Sequence, residues 1–533
     1  MFKKDLEKEI KEAIETLYQG RFDDIDNKLE VKNSCNLKGA DFGDFSTPIS
    51  LFLAGILGKK PQEVAEEIKS ELEKTDLYKN HLTKIEIAGP GFVNFHLKDE
   101  TINSLTKEVE QVVEKGLDVL KGQKYNIEFI SANPTGKLHI GHGRGAFYGD
   151  VVSNILEFNG AKIDREFYVN DSRESNQMKE LGKTALGLGE QYKTEALEEK
   201  IKNIDFEGLS EEEAGFKLGE EVQKDNSNFI TKGLGINFNI WYSEDKELRE
   251  SGVNAETLKE LQLKKVIETK EGEGEALWIK TSDYGDDEDR VVVRSDGSNS
   301  YFLSDISYHQ DKFNRKYDKV IDVWGADHHG HVKRMKAVKE MLGWEGEFEI
   351  FITQMVSLKE GGEAKKMSKR AGNVILLEDL VKEFGIDVVR WFFIEKTLNT
   401  HMEFDLELAR EQSAKNPVYY VQYAHARISS ILEKTKGLKE TDKNLLDNPV
   451  SKNLIMKLAE FSDVLESIAL GYSVNKLTTY AHELAGEFSS FYENVRIIED
   501  DTYNKEAVAL IETTQKVLAK SLDLLGISAP QKM

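Results

Sequence analysis

The sequence has little of several features that mark secreted, membrane-spanning or thiolate-bound metal proteins. Its 533 residues include one cysteine, Cys35, which excludes an internal disulfide and a zinc site built from several thiolates. No stretch approaches the roughly 20 uninterrupted apolar residues of a membrane span, and charges interrupt the first residues before a signal region can form. We therefore expect a cytoplasmic protein without a membrane partner, in which Cys35 is a buried structural thiol.

Positive charge is also in deficit. The chain has 72 lysines and arginines against 96 aspartates and glutamates, which gives a net charge of -24. A charge of this sign opposes approach to phosphates, so any contact with nucleic acid has to come from local basic patches. The length exceeds what one hydrophobic core supports, and we expect about two to four domains.

Residues 1–100 have the pattern of a small α+β domain. Leu6, Ile10 and Ile14 recur at helical spacing and define one apolar face. Further along, Ile85 and Ile87 alternate with polar residues, chain breakers follow, and a second alternating run comes next, which predicts a β-hairpin. Residues 101–123 are then predicted to form a charged helical connector.

Residues 124–404 have the pattern of a parallel-sheet domain. A strand pattern at 125–130, a helical pattern that stops at Gly160 and a second strand pattern at 165–169 predict a βαβ unit. Its ligand site is expected beyond the carboxyl ends of the strands. The charged residues 185–290 are interpreted as an insertion between two halves of the sheet, and residues 405–533 as a separate helical domain.

Two motifs point to phosphate chemistry. The tetrapeptide His139-Ile140-Gly141-His142 stands where the first predicted helix of the βαβ unit begins, and a helix amino terminus attracts anions. Gly141 lacks a side chain, so an adenine ring could lie against the backbone there. The second motif, Lys365-Lys366-Met367-Ser368-Lys369-Arg370, follows a glycine pair and predicts a cationic loop that could meet the charge developing on a leaving pyrophosphate.

In this order the two motifs resemble the paired signature of class I aminoacyl-tRNA synthetases, which implies a Rossmann-like catalytic domain that uses ATP. The chain between His142 and Lys366 is too short to hold an editing domain of about 100 to 200 residues beside the catalytic fold, which speaks against the isoleucine, valine and leucine enzymes. The single cysteine speaks against the cysteine enzyme, which resembles a zinc protein. Another enzyme of this class without an editing domain stays open as an alternative.

Acidic and hydroxyl groups near predicted strand ends favour arginine as the amino acid. A guanidinium is a planar fork of five donors, best held by carboxylate, amide and phenolic oxygens. The segments 128–133, 301–305 and 325–329 resemble those of arginyl-tRNA synthetases, and this resemblance covers essentially the whole chain. It implies that Glu128, Ser131 and Asn133 lie over the α-amino and carboxylate end of arginine. It also implies that Tyr301, Asp305 and Asp327 approach its side chain.

The resemblance further implies the substrates and the remaining site residues. The expected partners are L-arginine, ATP with Mg²⁺ bound mainly through the nucleotide, and tRNA(Arg), with no tightly bound cofactor, no protein-held metal and a monomeric chain. The helical domain would read the anticodon, and the amino-terminal domain would contact the outer corner of the tRNA. The implied catalytic residues are His139, His142, Lys366 and Lys369; ATP binding adds Gly141, Gly143, Met367 and Ser368; and tRNA binding is assigned to Asn416, Tyr419, Tyr420, Gln422 and Arg427.

One segment departs from the family's pattern, and one motif permits another function. Where the family usually has a small Ala-Gly pair before Asn-Gln, this chain has Ser172-Arg173-Glu174-Ser175, so Asn176 and Gln177 are left out of the predicted site. The run Asp327-His328-His329-Gly330-His331 has residue types found in metal-dependent phosphoesterases. A nucleotide-transferring enzyme that acts on a small metabolite is a third possibility, but it would not require the long helical domain.

Overall fold

The computed structural model describes residues 2–19, 25, 28–34, 43–361, 363–365 and 375–533. Cys35 and the lysine-loop residues Lys366, Met367, Ser368 and Lys369 lie outside the described residues. In the part of the chain that is described, no helix is both long and apolar enough to cross a membrane. The largest cluster of buried apolar side chains extends from the amino-terminal domain through the catalytic sheet to the carboxyl-terminal helices.

The amino-terminal domain combines helices with a small antiparallel sheet. Its elements are α1 (Phe2–Tyr18), β1 (Lys32–Asn33), β2 (Phe45–Thr47), α2 (Ile49–Leu57), α3 (Pro61–Leu72), α4 (Asp76–His81), β3 (Leu82–Ala88) and β4 (Phe92–Leu97). Leu6, Ile10 and Ile14 are fully buried on one face of α1, as their spacing predicts. The predicted hairpin is present as the antiparallel pair β3 and β4, within a sheet of order β1-β2-β4-β3.

A connector helix and the region of the parallel sheet follow. Their elements are α5 (Asp99–Lys115), β5 (Lys124–Glu128), α6 (Ile140–Phe158), β6 (Lys162–Val169), α7 (Asn176–Ala185), α8 (Glu195–Lys202), α9 (Glu211–Asn228), β7 (Ile240–Ser243), α10 (Val253–Leu263), β8 (Ile267–Thr269), β9 (Leu277–Ile279), β10 (Arg290–Val293), α11 (Tyr301–Asn314), β11 (Lys319–Gly325), α12 (Val332–Leu342), β12 (Glu347–Thr353), β13 (Val356–Glu360), β14 (Glu363–Lys365), α13 (Leu377–Phe384), α14 (Ile386–Ile394) and β15 (Met402–Asp405). A π-helical segment, Glu244–Glu250, directly follows β7.

Five of these strands form the predicted parallel sheet, in the order β12-β11-β5-β6-β7. The chain adds β6 and β7 on one side of β5, and then β11 and β12 on the other side. A sheet whose winding reverses in this way has a crevice at the carboxyl ends of the strands where the reversal occurs, here β5 and β11. The fold therefore directs attention to the residues that follow these two strands.

The segment expected as an insertion, residues 185–290, is not separate from this sheet. It contains β7, which pairs in parallel with β6 as an edge strand, from Glu166 opposite Ile240 to Val169 opposite Ser243. A four-residue strand is too short to give a clear periodic signal in the sequence. The same segment also supplies β8 and β9, which form a separate antiparallel sheet with β10.

The carboxyl-terminal region is helical, as predicted, with one addition. Its elements are α15 (Leu406–Arg410), α16 (Pro417–Thr435), β16 (Lys439–Thr441), α17 (Pro449–Ala459), α18 (Phe461–Gly471), α19 (Asn475–Asn494), β17 (Ile498–Glu499), β18 (Thr502–Asn504) and α20 (Lys505–Leu524). Pro417 and Pro449 are the first residues of α16 and α17. At this position the backbone N–H has no partner within the helix, so proline, which lacks the N–H, is tolerated. The addition is a sheet of order β16-β18-β17, which the helical pattern did not predict.

Candidate active site

A cavity of about 550 Å³ opens at the carboxyl ends of β5 and β11. We call it the strand-end cavity. The sequence-predicted arginine-binding residues all line it, namely Glu128, Ser131, Asn133, Tyr301, Asp305 and Asp327. Their positions in the sequence are far apart, so it is the parallel topology that brings them together.

The backbone after β5 is strained at the cavity wall. Ile130 and Ser131 have φ angles of 72° and 36°, a region that L-residues rarely adopt and that costs about 1 to 3 kcal/mol per residue. Oγ of Ser131 accepts a hydrogen bond from the backbone N–H of Tyr168 at 3.1 Å, and its carbonyl accepts one from the Asn170 side chain at 3.1 Å. Because Oγ of Ser131 already accepts a hydrogen bond, the hydroxyl hydrogen on this atom is suited to donate to a ligand acceptor such as a carboxylate.

A buried ionic network adjoins the cavity. Nζ of Lys312 donates to Oε2 of Glu128 at 2.5 Å and to Oδ1 of Asp322 at 2.8 Å, and the Lys312 side chain has no exposed surface. Burial lowers the pKa of Lys312, but attraction by Asp322 and Glu128 outweighs it, and the net shift is upward. The lysine is therefore charged, and it fixes the Glu128 carboxylate in place.

His309 extends this network from α11. Its Nε2 lies 2.8 Å from Oδ2 of Asp322, and its Nδ1 lies 2.7 Å from the carbonyl oxygen of Asp305. Burial acts to raise the pKa of Asp322, but Lys312 and His309 hold it below its ordinary value. The ionised Asp322 thereby ties the base of the cavity to β11.

Two acidic side chains that face the strand-end cavity have raised pKa values. Burial raises the pKa of Asp305 to about 6, although its neighbour His309 acts to lower it. Burial and the charges of Asp305 and Asp171 raise the pKa of Glu244 to about 8. Among the described residues neither Asp305 nor Glu244 forms an ion pair with a basic side chain. A cationic ligand would relieve both carboxylates at once, since an opposite charge lowers a carboxyl pKa and favours the ionised form.

Glu244 is a functional candidate that the sequence reasoning missed. It is the first residue after β7, and β7 was not recognised as a strand of the parallel sheet. Recognition of β7 would have placed an acid at the carboxyl end of a parallel strand, where ligand-binding residues collect. Asn176 and Gln177, left out because of the unusual loop before them, also line the cavity.

Tyr301 and Asp327 lie nearer the mouth of the cavity. Tyr301 is the first residue of α11, is 49% exposed, and its hydroxyl accepts a hydrogen bond from the backbone N–H of Asn176 at 2.9 Å. Asp327 stands in a 3₁₀ turn after β11 with its side chain 85% exposed. Asp305 is therefore better enclosed than Asp327 as a partner for a charged ligand.

The histidine motif forms the amino-terminal cap of α6, as its context predicts, but neither histidine lines the strand-end cavity. Nδ1 of His139 accepts from the backbone N–H of Gly141, and Nδ1 of His142 accepts from that of His139, each at 3.1 Å. Since Nδ1 of each ring is the acceptor, the ring proton lies on Nε2. The two rings stack with centroids 3.8 Å apart.

The glycines of this motif differ in their surroundings. A Cβ added to Gly143 would lie 3.0 Å from Cδ1 of Leu377 and 3.2 Å from the ring of Phe393, so close packing explains this glycine. A Cβ at Gly141 would meet the His139 ring at 2.9 Å. The absence of a side chain at Gly141 thus preserves the position of His139.

The cationic loop lies outside the described residues, but the chain on both sides of it is described. It follows β14, which ends at Lys365 and pairs with β13. Its other end joins the histidine motif directly, because the Ile140 N–H donates to the Ile375 carbonyl and the Leu377 N–H donates to the Leu138 carbonyl, each at 3.0 Å. The described chain that resumes at Ile375 is therefore bonded to the residues around the α6 amino terminus.

Comparisons with known proteins cover most of the chain. Family models match in three parts: the arginyl tRNA synthetase N terminal domain at 4–97, the tRNA synthetases class I (R) catalytic domain at 231–431 and the DALR anticodon binding domain at 421–533. The arginine–tRNA ligase of Desulforamulus reducens is 38% identical over 525 residues, covering 92% of each chain. That of Citrifermentans bemidjiense is 40% identical over 531 residues, covering 93% of each chain. The chain belongs to the arginyl-tRNA synthetase family.

Solved structures of arginyl-tRNA synthetases agree with this placement. A putative arginyl-tRNA synthetase from Campylobacter jejuni has 32% identity and a TM-score of 0.69, over 81% of this chain and 99% of that one. The Thermus thermophilus arginyl-tRNA synthetase has 20% identity, so it supports the fold alone, with a TM-score of 0.75 over the full length of both chains. The predicted family and fold class are thereby confirmed.

Membership of the arginyl-tRNA synthetase family disfavours the phosphoesterase alternative. The metal ligands that this alternative requires lie on an exposed turn. Nε2 of His328 is 3.8 Å from Asp327, and the His328 ring centroid is 5.6 Å from that of His331. Across the described ranges, no group of three or more histidine, cysteine, aspartate or glutamate side chains is arranged to hold a metal ion. This arrangement offers no argument for metal-dependent hydrolysis.

In this arginyl-tRNA synthetase, the predicted tRNA-binding residues divide into two groups. Tyr419 and Tyr423 stack on α16 with ring centroids 6.3 Å apart, and Arg427 donates to the hydroxyls of Tyr423 and Tyr492 at 3.0 Å each. Tyr423 and Tyr492 are exposed. We call these four residues the aromatic patch. Tyr423 was not among the predicted residues, although Tyr419, Tyr423 and Arg427 follow each other at the four-residue spacing of one helix face.

The other predicted tRNA-binding residues do not share this surface. Asn416 is buried and caps α16 by accepting from the Val418 N–H. Gln422 is buried and donates to Asp387 at 2.8 Å, and the half-buried Tyr420 donates its hydroxyl hydrogen to Ser489 at 3.1 Å. These three side chains serve contacts inside the protein.

Proposed function

We propose that this chain activates arginine with ATP and transfers it to the 3′ end of tRNA(Arg), with the strand-end cavity as its arginine pocket. The observation that carries this assignment is the pair Asp305 and Glu244, two carboxyl groups with raised pKa values that face one cavity and form no ion pair with a basic side chain within the described residues. A guanidinium supplies the missing charge and enough donors for both carboxylates. Tyr301 at the mouth offers a phenolic oxygen to the same group.

The other end of the amino acid fits the wall at β5. Lys312 occupies Oε2 of Glu128, which leaves Oε1 to accept from the α-ammonium group of arginine. The Ser131 hydroxyl and the Asn133 side-chain amide can donate to the α-carboxylate. In this orientation the carboxylate is the nucleophile that attacks the α-phosphate of ATP, forming arginyl-adenylate and releasing pyrophosphate.

We assign ATP binding to the α6 amino terminus and the cationic loop. His139 and His142 can donate from Nε2, and the positive end of the helix dipole favours the phosphates. Lys366 and Lys369 neutralise the leaving pyrophosphate, and Gly141, Gly143, Met367 and Ser368 complete the proposed ATP-binding set. Mg²⁺ is proposed to arrive with the nucleotide as part of the substrate.

The second step transfers arginine to the terminal ribose of the tRNA. The aromatic patch supports a role in binding the unpaired anticodon, because exposed rings beside an arginine suit base stacking. We propose that the amino-terminal domain contacts the outer corner of the tRNA, and that the chain works as a monomer in the cytoplasm, where tRNA is charged for protein synthesis.

The test is ATP–pyrophosphate exchange with each of the twenty amino acids, with and without total tRNA. Of the twenty amino acids, only arginine is expected to support exchange. Asp305→Asn should raise the KM for arginine far more than the KM for ATP, because removing one member of a desolvated charge pair costs about 2 to 5 kcal/mol. Exchange supported equally by another amino acid, or an unchanged arginine KM in Asp305→Asn, would contradict the assignment.

A further inference from the structure

The loop that departs from the family's pattern is bonded to the π-helical segment that carries Glu244. This loop, residues 172–175, lies between Asp171, two residues after β6, and the first residue of α7. Asn176 and Gln177, directly after it, line the strand-end cavity, as Glu244 does. The loop and Glu244 are therefore parts of the same wall.

Arg173 reaches from the loop to the π-helical segment. Its backbone N–H donates to Oδ1 of Asp245 at 3.0 Å, and its Nε forms an ion pair with Oδ2 of Asp245 at 3.4 Å. Its Nη1 donates to Glu250 at 3.2 Å, and its guanidinium lies 4.1 Å from the centre of the Phe216 ring. Asp245 is buried, so this pairing acts on a carboxylate that has little access to water.

Arg249 reaches back in the opposite direction. Its Nη1 donates to Oγ of Ser172 at 2.8 Å, and its Nη2 forms an ion pair with Glu174. One arginine on each segment thus binds the other segment. We call Arg173 and Arg249 with their partners Ser172, Glu174 and Asp245 the arginine latch.

Both neighbours of Glu244 are held by Asp171. Oδ2 of Asp171 accepts from the Ser243 hydroxyl at 2.7 Å, and Oδ1 accepts from the Asp245 backbone N–H at 3.0 Å. Arg173 of the arginine latch then binds the Asp245 side chain itself. The backbone on each side of Glu244 is consequently fixed to the chain that follows β6.

A fixed backbone matters at this position because a buried carboxylate without a cation is unfavourable. If the segment were free to move, the Glu244 side chain could turn towards water and leave the pocket. The restraints on Ser243 and Asp245 oppose that movement. Substrate then meets a carboxyl group that is already in position, and no binding energy is spent to order it.

We propose that Arg173 and Arg249 are positioning residues, which hold Glu244 against the guanidinium of arginine and thereby set the preference of the pocket for a cationic side chain. This inference rests on the proposed function, in which Glu244 faces that guanidinium. Neither arginine contacts the substrate. Their effect on the reaction passes through Glu244, and this distinguishes them from residues that only stabilise the fold.

The test uses Arg173→Met and Arg249→Met in the full-length enzyme, assayed by tRNA aminoacylation. Each variant should raise the arginine KM about tenfold, equivalent to about 1.4 kcal/mol, while kcat and the ATP KM stay within about threefold. Discrimination between arginine and citrulline, its neutral isostere, should fall by a similar factor. Arg173→Lys, which keeps a charge for Asp245, should recover most of the arginine KM.

Lys246→Met is the matched control. Lys246 lies on the same π-helical segment and within 6.0 Å of the same Phe216 ring, but it pairs outward with Glu220 at 3.4 Å. It should leave the arginine KM and the citrulline discrimination unchanged. Arginine and ATP KM values that rise together in the latch variants, with a lowered melting temperature, would overturn the proposal in favour of a purely structural role.

A double variant distinguishes the positioning role of the arginines from the proposed arginine pocket on which it rests. Glu244→Gln should raise the arginine KM, and Arg173→Met in that background should add little, because the positioned carboxylate is already gone. A further tenfold rise in the double variant would overturn the positioning role and leave the arginine pocket intact. An unchanged arginine KM in Glu244→Gln alone would instead refute the assignment of Glu244 to the pocket.

Discussion

The ammonium nitrogen of Lys312 lies 2.5 Å from Oε2 of Glu128, and the lysine side chain is completely buried. Glu128 ends β5 and Lys312 lies on α11, so this single contact joins two elements that are distant in the sequence. A buried ion pair adds little to stability when intact, but loss of one partner strands the other charge. The same contact fixes the carboxylate that we assign to the α-ammonium group of arginine.

Lys312→Met is therefore expected to lower the free energy of unfolding by about 3 to 5 kcal/mol, since it leaves Glu128 and Asp322 without their shared cation. Urea unfolding measures this loss. Glu128→Gln combined with Lys312→Met should recover part of the stability, because one of the two stranded charges is then removed. A single variant as stable as the wild type would show that the network is not ionised.

Arginine binding should depend on pH because Asp305 and Glu244 have pKa values of about 6 and about 8. For both carboxyls the folded-state pKa lies above the ordinary value, so the folded enzyme retains protons that the unfolded chain has lost. The stability of the free enzyme should consequently fall as pH rises from about 4 to about 8. Bound arginine favours the ionised carboxylates, so binding should release protons and tighten over the upper part of this range.

Isothermal titration in buffers of different ionisation enthalpy measures this proton release. At pH 7 arginine binding to the wild type should release protons, mainly from Glu244, and Glu244→Gln should abolish most of the release. Lys246→Met on the same segment should behave as the wild type. Equal proton release in Glu244→Gln and the wild type would place the titrating group elsewhere.

Substitutions in the two motifs that we propose to be catalytic should affect ATP chemistry rather than arginine binding. His142→Ala and Lys366→Ala are each expected to slow adenylate formation by about 10²-fold or more, the usual effect of removing one donor that meets transition-state charge. Arginine affinity should change little, since His142 does not line the strand-end cavity. Pyrophosphate exchange at saturating arginine measures the first effect, and unchanged exchange rates in both variants would end the catalytic assignment.

The sequence predicted the parts of the fold and site that have strong local signals. The strand before His139, the helix after it and the hairpin of β3 and β4 all follow from breakers and alternation within short windows. Glu244 was not predicted as a site residue because the strand before it, β7, is only four residues long. The place of β7 in the sheet depends on its pairing with β6. Gln422 was assigned to tRNA through the family resemblance, but its bond to Asp387 depends on how α14 packs against α16, which no local pattern encodes.

The last prediction concerns the tRNA and separates Tyr423 from Tyr420. Tyr423 is 43% exposed in the aromatic patch, whereas the half-buried Tyr420 is hydrogen-bonded to Ser489. Stacking on an unpaired base is worth about 1 to 3 kcal/mol, so Tyr423→Ala should weaken tRNA binding by that amount at every salt concentration. Because no charge is lost, the slope of affinity against salt should stay the same.

Tyr420→Ala should behave in the opposite way, with near-normal tRNA affinity and a lowered melting temperature, because it removes packing against α19. Arg427→Gln adds a third outcome: it removes the bonds to Tyr423 and Tyr492 together with a positive charge, so affinity should fall and the salt slope should flatten. The measurements are tRNA binding at several salt concentrations and a thermal melt of each variant. Normal tRNA affinity in both Tyr423→Ala and Arg427→Gln would exclude the aromatic patch from the anticodon contact, because these substitutions remove its more exposed ring and the arginine that joins that ring to Tyr492.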